Sequence, residues 1–361
     1  MNNKVDKLTD LFNDAVAEGV FPGANVVIVN DKETVIASFG KKAVEPVEEE
    51  NDVDTLYDLA SCSKVVSTTT SILLLMEQGK IKLHDEVKTY LPRFKHDGIT
   101  LFHLLTHTSG LPADVVKAYE LKSKEELVNI IYDMDLIYET GSEIKYSDIG
   151  FILLGFIIEK VSGLSLDVFA SKYIFDVLEM DSTCYNPIDK NRCAPTELRN
   201  DDVVSNTIVR GNVHDEKAFI MGGVAGHAGL FSCVKDLQKF IKMILNRGVY
   251  RGKQFLSAPT IDLIFAPMVK VPNKNYLRYD QRGIGWIVAD GNCSAGDIAS
   301  LETISHTGFT GTNIVIDRVN KVGFAILSNR VHITRENEKI LPWRGRAANF
   351  IVANFNSKNI K

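Results

Sequence analysis

The sequence of 361 residues lacks the features that mark several common protein classes. Lys and Arg together number 41 against 46 Asp and Glu, which gives a net charge of -5 at pH 7. Without a basic surplus, and without a basic run interleaved with aromatics, nucleic-acid binding is not expected. The longest apolar runs, 72–76 and 151–158, are much shorter than the roughly 20 residues that span a bilayer, so we predict no membrane span.

The N-terminal segment and the cysteines also lack the marks of secretion. Residues 1–20 carry charged side chains among spaced apolar ones, which indicates an amphipathic surface helix and not a signal peptide. The five cysteines form no CxxC pair and no zinc spacing. They are Cys62, Cys184, Cys193, Cys233 and Cys293. We therefore expect free thiols and a cytoplasmic protein, with a secreted form whose leader was trimmed left open.

Apolar periodicity separates the two ends of the chain from its middle. The segments 24–30, 33–40, 284–289, 304–317 and 322–329 are rich in β-branched residues and predict strands. The segments 101–105, 125–134, 149–161, 166–177 and 234–247 predict helices, as does 339–355 at the end. We predict an α+β fold with an antiparallel sheet made from both chain ends, flanked by terminal helices. The sheet domain is expected at 1–85 and 275–361, with a mainly helical domain inserted at 86–274 and the active site between them.

A Ser-x-x-Lys tetrapeptide begins at four serines, and its context distinguishes among them. Ser38 lies near a strand end and Ser142 in a loop, whereas Ser232 precedes a helix and is expected to be its N-cap. Ser61 precedes the run 62–78, which contains no Gly or Pro, so it is placed at the start of a helix. Helical spacing then puts the amine of Lys64 beside the Ser61 hydroxyl.

The position of Ser61 has further chemical consequences. A helix N-terminus favours developing negative charge, and the backbone N–H of Ser61 is available as an oxyanion donor. Burial is expected to lower the pKa of Lys64, so that a neutral amine accepts the Ser61 proton. On this local context alone, a catalytic serine and a helix-capping serine remain equally good interpretations.

Further motifs follow in an order and spacing that support the catalytic interpretation. LASCSK at 59–64, YSD at 146–148 and HTG at 306–308 are accompanied by LLTHTSGL at 104–111 and GGVAGHAGLFS at 222–232. With these motifs, nearly the whole chain resembles the serine penicillin-binding proteins and class C β-lactamases, with their esterase and peptidase relatives. The resemblance implies a serine hydrolase of that fold that needs no cofactor and no metal.

The resemblance also implies roles for individual residues. Tyr146 would share or relay the serine proton with Lys64, provided that nearby positive charge depresses its pKa; a buried tyrosine with a satisfied hydroxyl is the alternative. Thr307 and Gly308 would line the substrate-binding site, and the N–H of Phe309 would be the second oxyanion donor. A strand bend at the glycines would explain Gly308 without catalysis.

Two substrate-binding positions depart from the family pattern. His306 stands where the family has lysine, so a permanent cation is replaced by a group expected to titrate near pH 6.5, and carboxylate recognition should weaken. Asp148 stands where the family has asparagine, which adds a negative charge that would raise the pKa of Lys64 or orient its amine. Both changes favour an esterase, peptidase or amidase over an efficient β-lactamase.

The sequence therefore predicts a hydrolase that forms an acyl-enzyme on Ser61 and acts on D-amino-acid or cell-wall peptides, or on small esters. The partner is a small-molecule or peptide substrate, and the oligomeric state stays open. The alternatives are a weak β-lactamase and a catalytically silent binder of peptidoglycan fragments. A metal-dependent hydrolase is disfavoured because His103 and His107 have an i, i+4 spacing without the glutamate of zinc proteases.

Overall fold

The computed structural model describes residues 2–200, 206–273, 278–288 and 294–357. The α-helices of this part are α1 Asn2–Ala17, α2 Thr70–Glu77, α3 Val87–Tyr90, α4 Leu101–Leu105, α5 Lys124–Asp133, α6 Asp148–Ser162, α7 Leu166–Ala170, α8 Glu216–Ile220, α9 Val234–Leu245, α10 Ala258–Phe265 and α11 Ile340–Phe355. The strands are β1 Gly23–Asn30, β2 Thr34–Ala43, β3 Glu49–Glu50, β4 Tyr57–Asp58, β5 Cys184–Tyr185, β6 Leu198–Arg199, β7 Thr207–Ile208, β8 Leu230–Ser232, β9 Val249–Tyr250, β10 Lys253–Gln254, β11 Val269–Asn273, β12 Arg278–Arg282, β13 Ile287–Val288, β14 Thr303–Thr307, β15 Asn313–Asp317 and β16 Val322–Ser328.

One large antiparallel sheet joins the two ends of the chain. Its order in the described residues is β11-β12-β13-β14-β15-β16-β1-β2-β3, so β1 from the N-terminal part pairs with β16 from the C-terminal part. Side chains alternate between faces along β1. Val26 and Ile28 therefore pack with the terminal helices, whereas Val27 and Val29 belong to the larger core that contains the helical middle. This burial on both faces explains why β1 is apolar along most of its length.

The terminal helices cover the outer face of the sheet through aromatic contacts. The ring of Phe12 in α1 stacks on Phe39 with centroids 4.6 Å apart and meets Trp343 of α11 edge-on at 5.1 Å. Helix α9 packs against the opposite face of the sheet, over β1 and β16. The sheet is thus a layer between terminal helices and the helical middle, which confirms the predicted α+β fold.

Most predicted elements are present, with differences at particular residues. The segment 166–177 is α-helical only to Ala170 and continues as a π-helical turn at Ser171–Phe175. Ser232 is not the N-cap of α9, which is Cys233; Ser232 ends β8, and its hydroxyl lies 2.7 Å from the hydroxyl of Thr183. The capping prediction was wrong because the helix begins one residue later than expected and the Ser232 hydroxyl is engaged with Thr183. The predicted strand 284–289 appears as Ile287–Val288, and its last residue lies outside the described part.

The predicted domain boundaries stay a prediction. Strand β11 precedes the predicted return to the sheet domain at residue 275, yet it pairs with β12 at one edge of the large sheet. Within the described ranges, no single helix is long and apolar enough to cross a membrane, and one bent pair, α6 with the segment 166–175, passes by length and composition only.

Candidate active site

The serine at the centre of the site lies in a tightly constrained turn. Ser61 belongs to a 3₁₀ turn, Ala60–Cys62, followed by a π-helical turn at Lys64–Thr69 and then α2. Ala60 has a φ of 45°, a left-handed conformation that is unfavourable for a residue with a Cβ. The carboxylate of Asp58 supports this conformation, because Oδ1 accepts from the N–H of Ala60 at 2.8 Å and Oδ2 from that of His214 at 2.7 Å.

Lys64 lies directly behind the Ser61 hydroxyl and is fully buried. Its Nζ donates to Ser61 Oγ and to the carbonyl of His227, each at 2.9 Å, and lies 2.8 Å from Oδ1 of Asp148. Burial opposes the charged form, but the Asp148 carboxylate, with a further contribution from Tyr146, outweighs it, so the pKa of Lys64 is raised above its usual value. Of the two opposing expectations for this pKa, the lowering by burial is outweighed, and the raising by the Asp148 charge has the sign of the net shift.

Tyr146 contacts the same oxygen. Its hydroxyl donates to Ser61 Oγ at 2.7 Å, and its ring lies against His107, with centroids 4.7 Å apart. Tyr146 is 36% exposed, while its hydroxyl is hydrogen-bonded to the nucleophile. Burial raises the pKa of the phenol, and the nearby Lys64 ammonium offsets only part of this effect. The condition set for a proton relay, a Tyr146 pKa depressed by positive charge, is therefore not met in this arrangement.

Strand β14 and the turn after it form the wall that faces Ser61. The ring Nδ1 of His306 lies 3.0 Å from the carbonyl oxygen of Thr307, which can only accept, so Nδ1 carries a proton. Burial, with a contribution from the Lys64 ammonium, lowers the pKa of His306 to about 3. His306 is therefore neutral near pH 7, and the expectation of titration near pH 6.5 was wrong because the ring is only 3% exposed.

Gly308 allows this wall to approach the nucleophile turn. A Cβ at this position would overlap Thr312 Oγ1 and the carbonyl oxygen of Leu59. The neighbouring Phe309 is half exposed, and its ring stacks against His214 with centroids 5.6 Å apart. Gly308 and Phe309 thus lie beside the turn that carries Ser61, as the resemblance implied.

Two cavities meet at Ser61. One, of about 400 Å³, is lined by Tyr146, Thr307 and Phe309 together with apolar side chains such as Trp286. Three arginines also line it, against a single acid, Glu338, and they are Arg282, Arg330 and Arg344. The other cavity, of about 220 Å³, lies on the side of Asp148 and is bordered by several acidic groups. The cleft is thus cationic and apolar on one side of the serine and mainly acidic on the other.

A buried cluster of charges extends from Asp148 away from the serine. Nζ of Lys217 lies 3.4 Å from Asp148 Oδ2, 3.0 Å from Asp215 Oδ2 and 2.8 Å from Asp114 Oδ1. His227 Nε2 lies 2.7 Å from Asp215 Oδ1. Lys217 and Asp114 belong to none of the sequence motifs, so the sequence did not predict them as part of the site.

The histidines do not form the metal pair that was considered. The Nδ1 of His103 accepts from the N–H of Thr100, and the Nδ1 of His107 accepts from the N–H of Ser147. The two rings are thus hydrogen-bonded to the backbone of different segments. Asp148, Asp215 and His227 do bring three possible ligand atoms within 4.8 Å of one another. The ammonium of Lys217 contacts both of these carboxylates and supplies a positive charge there.

A serine hydroxyl held between a lysine and a tyrosine, at a helix start beside an antiparallel sheet, defines the class of serine hydrolases with a penicillin-binding-protein fold. The chain matches the family model described as Beta-lactamase over residues 8–348, and it belongs to that family of hydrolases.

Curated relatives and solved structures agree with this assignment. The chain is 33% identical over 368 residues to an N-acetylmuramyl-L-alanine amidase of Bacillus subtilis (strain 168), covering 91% of this chain and 81% of the relative. It is 35% identical to a putative D-alanyl-D-alanine carboxypeptidase of Escherichia coli (strain K12), covering 86% and 79%.

Two solved structures share the fold. The structure of "EstCE1, a hydrolase with promiscuous acyltransferase activity" is 20% identical with a TM-score of 0.77, covering 96% of this chain and 98% of the other. The octameric penicillin-binding protein homologue from Pyrococcus abyssi is 24% identical with a TM-score of 0.74, covering 99% and 79%.

Proposed function

We propose that this chain is a serine hydrolase that forms an acyl-enzyme on Ser61 and cleaves amide bonds of cell-wall peptides. The observation that carries the proposal is that Ser61 Oγ lies 2.9 Å from Lys64 Nζ and 2.7 Å from the Tyr146 hydroxyl, at the wall of a 400 Å³ cavity. The substrate class is supported by the names of the relatives, an amidase and carboxypeptidases.

The proposed reaction uses Lys64 and Tyr146 as one proton-transfer pair. Because the pKa of each group is raised, Lys64 and Tyr146 are both protonated in the resting enzyme. The reactive form of the pair has lost one of these two protons. Ser61 Oγ then attacks the carbonyl carbon, and its proton passes to the pair. Tyr146 delivers a proton to the leaving amine as the C–N bond breaks. Water later attacks the ester and gives a proton to the pair, and the pair passes a proton to Ser61 Oγ as the C–O bond breaks.

The oxyanion of each tetrahedral intermediate is proposed to lie between the backbone N–H groups of Ser61 and Phe309. Two donors fixed by the fold stabilise charge as it develops and need no reorganisation. Asp58 and Gly308 support this arrangement, because the first clamps the turn before Ser61 and the second lets Phe309 approach it.

The cavity favours a substrate with an anionic group. Neutral His306 supplies no positive charge, so recognition of a carboxylate is proposed to fall to the three arginines of the cavity wall, Arg282, Arg330 and Arg344. A peptide carboxylate from cell-wall material meets this requirement. We also propose that the protein is cytoplasmic and acts on substrates released from the wall. This location is supported by the four cysteines of the described residues, which are free thiols.

Intact-protein mass spectrometry after incubation with a penicillin tests the nucleophile. An adduct on the native chain and none on Ser61→Ala would support acylation of Ser61 and a pocket that accepts a D-Ala-D-Ala mimic. Turnover is then compared for N-acetylmuramyl-L-alanine, a D-Ala-D-Ala peptide and an aryl ester. Hydrolysis of the ester alone would replace the cell-wall proposal by an esterase function, and hydrolysis of the penicillin itself would indicate a weak β-lactamase.

A catalytically silent binder is the second candidate, and one observation favours it. In the resting arrangement Ser61 Oγ accepts hydrogen bonds from both Lys64 and Tyr146, so neither group is poised to take its proton. This candidate predicts binding of muropeptide fragments by calorimetry together with no adduct and no turnover between pH 6 and pH 10. An alkaline rise in activity would exclude it.

A further inference from the structure

Lys217 is a buried lysine that the catalytic scheme above does not use. Its side chain is 3% exposed, and it is the second residue of the short helix α8, whose N-cap is Asp215. Burying an ammonium is costly unless it is paired, and here it contacts the carboxylates of Asp114, Asp148 and Asp215 within 3.4 Å. Its pKa is raised accordingly, because the three carboxylates outweigh the effect of burial.

Asp148 is shared between this lysine and the one behind the nucleophile. Its Oδ1 lies 2.8 Å from Lys64 Nζ, and its Oδ2 lies 3.4 Å from Lys217 Nζ. A carboxylate between two ammonium groups stabilises each proton less than it would with one of them absent, because the two cations repel. The charge on Lys217 therefore acts on Lys64 through one intervening carboxylate.

We propose that Lys217 is a positioning residue for the reaction: its ammonium holds the second oxygen of Asp148 and keeps Lys64 able to accept the Ser61 proton. This inference rests on the proposed acyl-enzyme function and adds a residue to it. Lys217 lines the smaller cavity beside Ser61 but is buried in its wall, where its described contacts are with carboxylates of the protein. It acts by orienting and neutralising Asp148.

The other groups around the two lysines fix the sign of the expected effect. Lys64 faces the Tyr146 ring at 4.9 Å, the Phe151 ring at 5.7 Å and the carbonyl of His227, and the rings of His107 and His306 stand nearby. Both of these histidines have pKa values far below neutrality, so neither adds a charge at pH 7. Asp148 is then the carboxylate in contact with Lys64, Tyr146 is the other group that raises the Lys64 pKa, and His227 and Lys217 are the other basic groups that act on Asp148.

The acidic neighbours of Lys217 also favour the protonated form of Lys64. Asp215 and Asp148 approach each other closely enough for their oxygens to lie within 4.8 Å, and Asp114 adds a third negative charge at the rim. Removing the Lys217 cation leaves this group more negative, and every proton in it is then held more tightly. Lys64 in particular requires a higher pH to become a base.

The test compares pH profiles of kcat/KM for the native chain, Lys217→Met and Lys217→Arg. In Lys217→Met we expect the acidic limb to move up by about one pH unit or more, which lowers kcat/KM at pH 7 by about tenfold. Lys217→Arg keeps the positive charge, so its acidic limb should move by less than about half of the shift expected for Lys217→Met. A purely structural lysine would lower the melting temperature of Lys217→Met and leave the limb in place, and that result would overturn the proposal.

Two further variants serve as control and as safeguard. Lys235→Met removes a lysine that pairs with Asp54 at the surface, 2.7 Å apart and about half exposed, and should leave the profile unchanged. If Lys217→Met does not fold, Asp114→Asn removes the half-exposed acid from the other side of Lys217. Because it subtracts negative charge, we expect its acidic limb to move to lower pH; movement to higher pH would contradict the proposal.

A measurement without substrate separates this inference from the proposed function. Lysine labelled with ¹³C at Cε allows Lys64 to be titrated by NMR in the native chain and in Lys217→Met, with Lys64→Arg providing the assignment. A higher titration midpoint in Lys217→Met supports the electrostatic role of Lys217, and an unchanged midpoint overturns it. If the native chain forms no adduct with any substrate, the proposed function fails by itself, and the NMR titration still decides the role of Lys217.

Discussion

The Nζ atom of Lys64 lies 2.8 Å from Oδ1 of Asp148, with the lysine side chain fully buried and the aspartate 15% exposed. The same Nζ donates to Ser61 Oγ, so the counter-ion and the nucleophile share one ammonium. The carboxylate therefore holds the lysine in its charged form, and the reaction requires a proton to leave a group whose pKa is raised. This contact makes activity depend on pH in a direction that can be measured.

Replacing Asp148 by asparagine should move the acidic limb of the kcat/KM profile to lower pH by at least about one unit. The substitution removes the largest contribution that raises the pKa of Lys64, so that burial, which lowers the pKa, is opposed only by Tyr146. The pH profile of the acylation rate measures the shift. A limb that stays in place, or moves to higher pH, would show that another group sets it.

The same Asp148→Asn substitution should weaken the fold at neutral pH. A group whose folded pKa is raised contributes stability below its unfolded pKa, and that stability is lost as the pH rises through the folded value. Removing the partner of the buried Lys64 charge should cost about 3 kcal/mol of unfolding free energy. Urea denaturation at pH 7 measures the loss, with the exposed pair variant Asp54→Asn as a control expected to cost under about 1 kcal/mol.

Tyr146→Phe should reduce kcat by about 10² to 10⁴-fold while leaving the fold nearly intact. The phenol hydroxyl donates to Ser61 Oγ at 2.7 Å, whereas the ring packs on His107 and would stay in place in the variant. Single-turnover acylation and thermal unfolding, measured on the same preparation, separate the two effects. A variant that loses stability but keeps kcat would remove Tyr146 from the proton-transfer pair.

The sequence predicted the parts of the fold that depend on local patterns. Alternating and periodic apolar residues located the strands β1 and β16 and the helices α4 and α6, because each of these signals is contained in one segment. The π-helical turn after Ser61 was not predicted, since its hydrogen bonding depends on packing and not on apolar period.

The candidate site was predictable as a set of residues but only partly in its charge state, because the sequence placed burial and the Asp148 charge in opposition without showing which prevails at Lys64. Ser61 and Lys64 follow from an i, i+3 spacing, and Tyr146 and His306 from the resemblance. The sign of the Lys64 pKa shift depends on a 2.8 Å contact with Asp148 from a distant segment, and Lys217 completes the charge cluster from another. Spacing within one helix contains no information on contacts of this kind.

The buried His306 should make stability depend on pH below neutrality. Its folded pKa of about 3 lies below the usual value of 6.5, so the unfolded chain binds more protons between these values. Stability is therefore lost as the pH falls from about 6.5, by up to about 1.4 kcal/mol per pH unit for this one group. Urea unfolding at pH 4.5, 5.5 and 6.5 should show a shallower slope for His306→Gln than for the native chain. Parallel slopes would mean that the histidine is charged in the folded state.

Gly308→Ala should strongly reduce acylation because it displaces the wall that faces the nucleophile. The added methyl group would overlap Thr312 Oγ1 and the carbonyl oxygen of Leu59, so the strand end and the Ser61 turn must separate. Oxyanion donors lose their effect when they move by a fraction of an ångström from the developing charge. Acylation by an activated aryl ester should therefore fall at least about 10²-fold, as after loss of one oxyanion donor.

The helix α11 offers a matched control for this substitution. An added Cβ at Gly345 meets no atom within 4 Å, so Gly345→Ala should retain full activity and gain up to about 1 kcal/mol of stability from reduced chain entropy. The comparison isolates position from residue type, because both variants add one methyl group to a glycine. Equal activity of Gly308→Ala and Gly345→Ala would show that the wall adapts to the added methyl, and the placement of Phe309 as an oxyanion donor would then have to be abandoned.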